Sequence, residues 1–132
     1  MTHTRYHHIV LLLLRLTFGL GMLVGHGWPK LMKLFGDAPI KFYDFMGLGP
    51  EISLGLAVFA EAICALLIAI GLFTRLASVP LIITMLVAIL GAHWGDPFGK
   101  YEKALLYLIP YVCLLIAGPG WYSVDSQVRK SA

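Results

Sequence analysis

The sequence predicts an all-α integral membrane protein, a four-helix bundle whose neighbouring helices run antiparallel, with a short amphipathic segment between helices one and two. Three observations lead there. The 132 residues are 59% hydrophobic and only 13% charged, with a mean hydropathy of +0.83, whereas a soluble domain carries charge at roughly a quarter of its positions. The apolar residues fall into four separated runs. The connections between them are polar, aromatic or rich in Gly and Pro.

About twenty apolar residues in helical conformation cross a hydrocarbon core roughly 30 Å thick. The four runs span about 9–28, 52–73, 76–92 and 104–117. Inside lipid each backbone polar group must be satisfied within its own segment, so such runs are helical. The third and fourth are short, which puts His93, Trp94, Tyr101, Trp121 and Tyr122 at the interfaces, where aromatic belts sit. Residues 1–132 form one domain, since the length leaves no room for a second. The opening MTHTRYHHIVLLLLRL resembles a signal peptide, but its apolar run continues to Trp28 with no A-x-A-like site. It reads as a retained first span.

Helices two and three are separated by little more than Thr74 and Arg75, which makes them an antiparallel hairpin. The first connection, 29–51, mixes Lys30, Lys33, Asp37, Lys41, Asp44 and Glu51 with Phe35, Phe42, Phe45 and Met46. That pattern fits an amphipathic segment on the membrane surface, with Pro29 kinking or ending helix one. The third connection, HWGDPFGKYEK, is a turn.

An even number of crossings puts both chain ends on one side. Lys and Arg divide evenly between the two sides, so the positive-inside rule leaves orientation open. Arg5 and Arg15 beside the first span favour cytoplasmic termini. The formal charge of +3 is scattered, with no basic run and no nucleic-acid motif, which excludes a nucleic-acid partner. Cys64 and Cys113 lie in apolar runs and form no C-x-x-C. They read as helix-packing residues, a disulfide between them being left open.

Glu61 is the residue that composition does not explain. It lies nine residues after Ile52, about 13 Å below the non-terminal surface, too deep for its side chain to reach water. Ala57, Ala65 and Ala69 share its face, a small-residue stripe of the kind that packs against other helices. Glu61 is therefore expected to point into the bundle. On helix one, Arg15, Gly19, Met22 and His26 share a face. Because Cα–Cβ bonds tilt toward a helix's own N-terminus, His26 rather than Arg15 is the expected partner, with Lys30 behind it. His93 and Glu102 belong to the same side. The expected site joins Glu61, His26 and Glu102 as proton-exchanging groups with Lys30, His93 and Arg15 as ligand-binding groups.

The bland readings stand beside it. Glu61 has helix-to-helix glue as its alternative role, Arg15 a snorkelling anchor, and His93 and Glu102 ordinary interfacial positions. His3, His7 and His8 read as a solvated tail. No close ligand spacing supports a metal among His26, His93 and Glu61, so no metal is expected. Gly21-x-x-x-Gly25 fits a close helix contact, inside the monomer or in a homo-oligomer.

The segments RLTFGLGMLVGHGWPKL, AEAICALLIAIGLFTRLAS and GPGWYSVD, taken in this order and spacing, resemble the DoxX family of small bacterial and archaeal membrane proteins over roughly residues 14–125. Arg15, the His26–Gly27 pair and Lys30 fit its first motif, Glu61 the acidic position of the second, Thr74–Arg75 its closing turn. Glu102 and 118–120 fit the fourth-helix region. The resemblance implies a four-helix protein of the cytoplasmic membrane. It also implies an association with membrane redox systems, as in a thiosulfate:quinone oxidoreductase subunit. Two functions follow. One is a redox-linked subunit, part of a membrane oxidoreductase, that binds a quinone or similar amphiphile and takes electrons from other subunits, since no haem, flavin or iron–sulfur motif is present. The other is a non-catalytic scaffold or assembly partner in the lipid bilayer.

Overall fold

The computed structural model describes residues 2–131, and every regular element among them is helical. The first rod, α1, joins Thr2–Met22 through a π-helical turn, Leu23–Gly27, to Trp28–Leu34. The second, α2, joins Pro50–Val58 through a second π-helical turn, Phe59–Cys64, to Ala65–Ile70. The third, α3, runs from Thr74–Val87 into a third such turn, Ala88–Ala92. Then come α4, Phe98–Ala117, and a terminal amphipathic helix, α5, Val124–Ser131.

Three of these rods are long and apolar enough to cross a bilayer: Thr4–Leu34, Pro50–Ile70 and Thr74–Ala92. The expected fourth crossing corresponds to α4, a helix of 20 residues. Its first turns carry Lys100, Glu102 and Lys103, and on length and composition it does not join the other three. Leu13, Val24, Leu76, Leu90 and Ile116, each more than half exposed, cover the outside, an arrangement that only an apolar solvent tolerates.

The rods pack in a ring. α1 contacts α2 and α4, and α3 contacts α2 and α4. α2 is the most buried of the three long apolar rods: 61% of its apolar window is buried, against 22% for α1 and for α3. Its alanine stripe makes this possible, because Ala57, Ala65 and Ala69 are all buried and let neighbouring backbones come close. Gly19 and Gly27 of α1 supply the matching gaps. A Cβ at Gly19 would lie 2.8 Å from the Ala69 nitrogen, and one at Gly27 would lie 2.8 Å from the Ala62 Cα and collide with the Glu61 carbonyl oxygen. Gly25 faces open space. The close contact is thus made inside the monomer by Gly19 and Gly27, each two positions outside the Gly21-x-x-x-Gly25 pair.

Pro29 does not end α1. The Trp28 N–H donates to the Leu23 carbonyl, five residues back. This widened turn relieves the clash that a proline ring makes with the carbonyl four residues before it. The helix therefore carries Lys30 and Lys33 one turn further than expected. Residues 35–49 beyond it contain no helix. They fold back over α2, where Ile40 and Phe42 pack on Leu54, Val58 and Ala62. The amphipathic segment is the end of α1 plus this loop.

The α2–α3 hairpin closes at Gly71, whose φ of 78° ends the helix, with the Leu72 N–H donating 2.9 Å to the Leu67 carbonyl. Cys64 is buried, Cys113 is exposed, and both are free thiols.

Candidate functional site

The site grows from the crossing of α1 and α2, where two π-helical turns meet at Gly27 and Glu61. Widened turns of this kind recur at functional sites because they re-aim one side chain without breaking the helix. Glu61 is 4% exposed and points into the bundle as its alanine neighbours require. Its partner is Lys30, whose Nζ donates to Glu61 Oε1 at 2.9 Å. The Lys30 side chain is 25% exposed and that of Glu61 5%, so the pair runs from a partly open rim to a buried interior.

His26 is not the partner. Its ring stands edge-on to Tyr107 of α4, centroids 5.6 Å apart, and it makes no hydrogen bond to Glu61. The Cα–Cβ tilt that favours His26 over Arg15 favours Lys30 still more. In α1 the Cβ leans back toward the chain's start, in α2 toward the loop side, so Lys30 and Glu61 lean toward each other. Pro29, expected to kink or end helix one, instead lets the helix continue to Leu34, and this fixes the phase of Lys30.

The pair opens onto a cavity of about 470 Å³ enclosed by α2, α3 and the 35–49 loop. The walls are apolar: Leu56, Ala57, Phe59 and Ala60 from α2, Ile83, Met85 and Val87 from α3, Phe42 and Phe45 from the loop. Leu56, Phe59 and Ile83 are about half exposed and form its lipid-facing rim. A few polar groups join Lys30 and Glu61 there. Ser53 Oγ accepts the Phe45 N–H at 2.8 Å and ties the loop to α2. The Thr84 hydroxyl is turned back on the Pro80 carbonyl at 2.7 Å. Tyr43 reaches across to α3, where the absence of a side chain at Gly91 makes room, since a Cβ there would lie 2.6 Å from its hydroxyl oxygen. His93 closes the far end, 3.2 Å from Asp96 Oδ2.

The expected site residues therefore separate. Lys30, Glu61 and His93 line one cavity. His26 faces α4 instead, and Glu102 is exposed on α4 with no ion pair among the described residues. Arg15 lies eight residues, about 12 Å, further along the bundle, level with Ala69. It is 1% exposed and donates to the carbonyls of Ala69, at 3.4 Å, and Tyr122. A cation there meets the last carbonyls of α2 and clamps the chain that follows α4. Tyr43, Ser53 and Thr84 were not singled out from the sequence. Ser53 and Thr84 are single hydroxyls in apolar runs, and Tyr43 has no periodicity to betray it. Among the described residues no three His, Cys, Asp or Glu side chains group to hold a metal.

An apolar slot with an ion pair at its inner end and hydroxyls along its walls suits an amphiphile that carries polar atoms on a flat or chain-like body. The ammonium keeps donors beyond the one given to Glu61, and the carboxylate is an acceptor or proton donor according to its protonation.

The family model DoxX matches residues 10–94, which hold most of α1, the loop, α2 and α3. The chain belongs to the DoxX family. It is 29% identical over 129 residues, 90% of each chain, to the inner membrane protein YphA of Escherichia coli (strain K12). It is 34% identical over 87 residues to the uncharacterized membrane protein Rv3486 of Mycobacterium tuberculosis (strain ATCC 25618 / H37Rv), covering 54% of this chain and 53% of that one. No solved structure matches. This DoxX protein is thus a multi-pass membrane protein, with a lipid bilayer as its surroundings.

Proposed function

We propose that this DoxX protein is a redox-linked subunit of the bacterial or archaeal cytoplasmic membrane, with cytoplasmic termini, that binds a quinone or similarly built amphiphile in the cavity beside Glu61. The observation that carries the reading is the Lys30–Glu61 ion pair facing an apolar chamber of about 470 Å³ with a lipid-side rim. An ion pair kept at that depth is expensive, and ionisable groups retained inside a membrane by default mark function. In this reading Lys30 donates to a ligand carbonyl oxygen and Glu61 gives that oxygen a proton as the quinone is reduced, or takes it back as the quinol is reoxidised. A partner redox protein supplies the electrons. Tyr43 and His93 position the opposite end of the ligand, and the rim passes its tail to the lipid.

The scaffold reading draws its support from Arg15, a buried cation that spends its hydrogen bonds on backbone carbonyls of two elements. One variant divides the two. Glu61→Gln keeps the shape of the side chain and an acceptor for Lys30. Quinone titration of the purified variant in detergent is expected to show lost binding with Cys64 still protected from alkylation. Unchanged quinone affinity removes the ligand-site reading, and an exposed Cys64 moves Glu61 to the scaffold.

A further inference from the structure

At the opposite end of the bundle a second cavity, about 600 Å³, lies between α3, α5 and the turn after α4. It owes nothing to the Lys30–Glu61 site, and its lining has a different character. Arg75, Arg129 and Lys130 bring three cations to it, against one carboxylate, Asp125. That carboxylate is already spent. Its two oxygens accept the N–H groups of Phe73 at 2.8 Å and Thr74 at 3.1 Å, capping α3 where the N-cap residue, Phe73, has no side-chain acceptor to offer. The carboxylate is thus committed to two backbone amides at the start of α3, which leaves the three cationic side chains without it as an ion-pair partner. Arg129 has no ion-pair partner among the described residues. Lys130 lies 3.9 Å above the Trp121 ring, and Arg75 gives one hydrogen bond, at 3.3 Å, to the Ile116 carbonyl.

Thr74 also lines this cavity. It is fully buried, and its hydroxyl has no hydrogen-bond partner. Buried hydroxyls are nearly always satisfied, so an unpaired one beside a cationic hollow is a donor in want of an acceptor. The outer lip of the hollow is apolar: Phe73 is 60% exposed and Leu76 71%, and both lie on the lipid-facing side of the hairpin. Cations at interface depth, an indole beside them and an apolar lip below are the parts of a headgroup site. Basic hollows between membrane helices take anionic headgroups by this combination.

We propose that this cavity binds the phosphate of an anionic lipid headgroup, held by Arg129, Lys130 and Arg75, with the acyl chains descending past Phe73 and Leu76. The phosphate offers acceptors to two guanidinium groups and the ammonium. A free phosphate ion would satisfy the same donors but would leave the apolar lip without a partner. The lip is what favours a lipid.

The full chain, with Trp28 and Trp94 replaced by Phe, carries Trp121 alone as a reporter on this hollow. Both replaced residues are more than half exposed, at the other end of the bundle. Reconstituted in phosphatidylcholine, it is titrated with brominated phosphatidylglycerol and, separately, brominated phosphatidylcholine. Trp121 quenching is expected to saturate at a lower fraction of the anionic lipid. Arg129→Gln should weaken that preference about fivefold, the effect of one basic side chain near an anionic surface. Lys100→Gln, at the other end, should leave it unchanged. Equal quenching by the two lipids overturns the site, and so does an equal effect of Lys100→Gln, which would make the preference one of bulk charge. Displacement by inorganic phosphate at constant ionic strength overturns the lipid assignment in favour of a soluble anion.

Discussion

Gly27→Ala tests the crossing on which the Lys30–Glu61 site is built. A Cβ at residue 27 would lie 2.5 Å from the Glu61 carbonyl carbon and 2.8 Å from the Ala62 Cα. Carbon atoms in contact sit about 3.5–4.0 Å apart, so the two rods must part by roughly 1 Å. Both contacts are backbone atoms inside helices and cannot turn aside. Overpacking of this kind costs about 1–3 kcal/mol, and the separation also stretches a 2.9 Å ion pair past hydrogen-bonding range. Gly25→Ala is the matched control, because no atom lies within 4 Å of its Cβ. It should be neutral or gain up to about 1 kcal/mol in helix propensity. A gap of about 2 kcal/mol between the variants is a roughly thirtyfold difference in local opening. Cys64 reports it: it is 2% exposed, three residues after Glu61, and with Cys113→Ser it is the one remaining thiol. Its alkylation rate in detergent follows the population of opened molecules. Equal rates for Gly27→Ala and Gly25→Ala would show that α1 and α2 do not touch where the structure joins them.

Three further outcomes follow from the same contacts. Lys30→Met leaves the Glu61 carboxylate buried and unpaired, a change that costs about 3 kcal/mol or more in a protein interior. Adding Glu61→Gln should restore most of the loss in detergent unfolding, and an additive cycle would deny the coupling. Gly91→Ala presses a methyl group against the Tyr43 hydroxyl 2.6 Å away. It is expected to lower amphiphile affinity severalfold while Cys64 stays protected, and full affinity would take Tyr43 out of the cavity wall. Asp125→Asn weakens the cap on α3. A loss of about 1 kcal/mol is expected, read as faster hydrogen exchange at Phe73 and Thr74, and unchanged exchange would contradict the cap.

The helices and their order were legible because composition and run length decide between lipid and water before any packing is known. The buried face of α2 was legible too, since Ala57, Glu61, Ala65 and Ala69 recur at helical spacing and all four are buried. The site was legible in part. Glu61 announces itself by cost alone, and Lys30 and His93 share its cavity. The rest depends on features that hydropathy does not carry. A π-helical turn before Pro29 sets the phase of Lys30 and sends His26 toward Tyr107. Which glycine makes the contact turns on the angle at which α1 and α2 cross, and Gly19 and Gly27 replace the motif-like Gly21 and Gly25. Tyr43 enters the site through a loop whose path is fixed by packing on Leu54 and Val58. Arg15, expected near the ligand, is placed by carbonyls that become available only where α2 ends against the chain after α4.

Photolabelling with an azido-substituted quinone meets the central proposal most directly. Cross-linked peptides, mapped by mass, should fall on 42–45, 56–61 and 83–93, and should disappear on addition of unlabelled quinone or with Glu61→Gln. Labels confined to the α1–α4 face around His26 and Tyr107, or a pattern indifferent to competitor and to Glu61, would contradict a ligand in the chamber beside the ion pair.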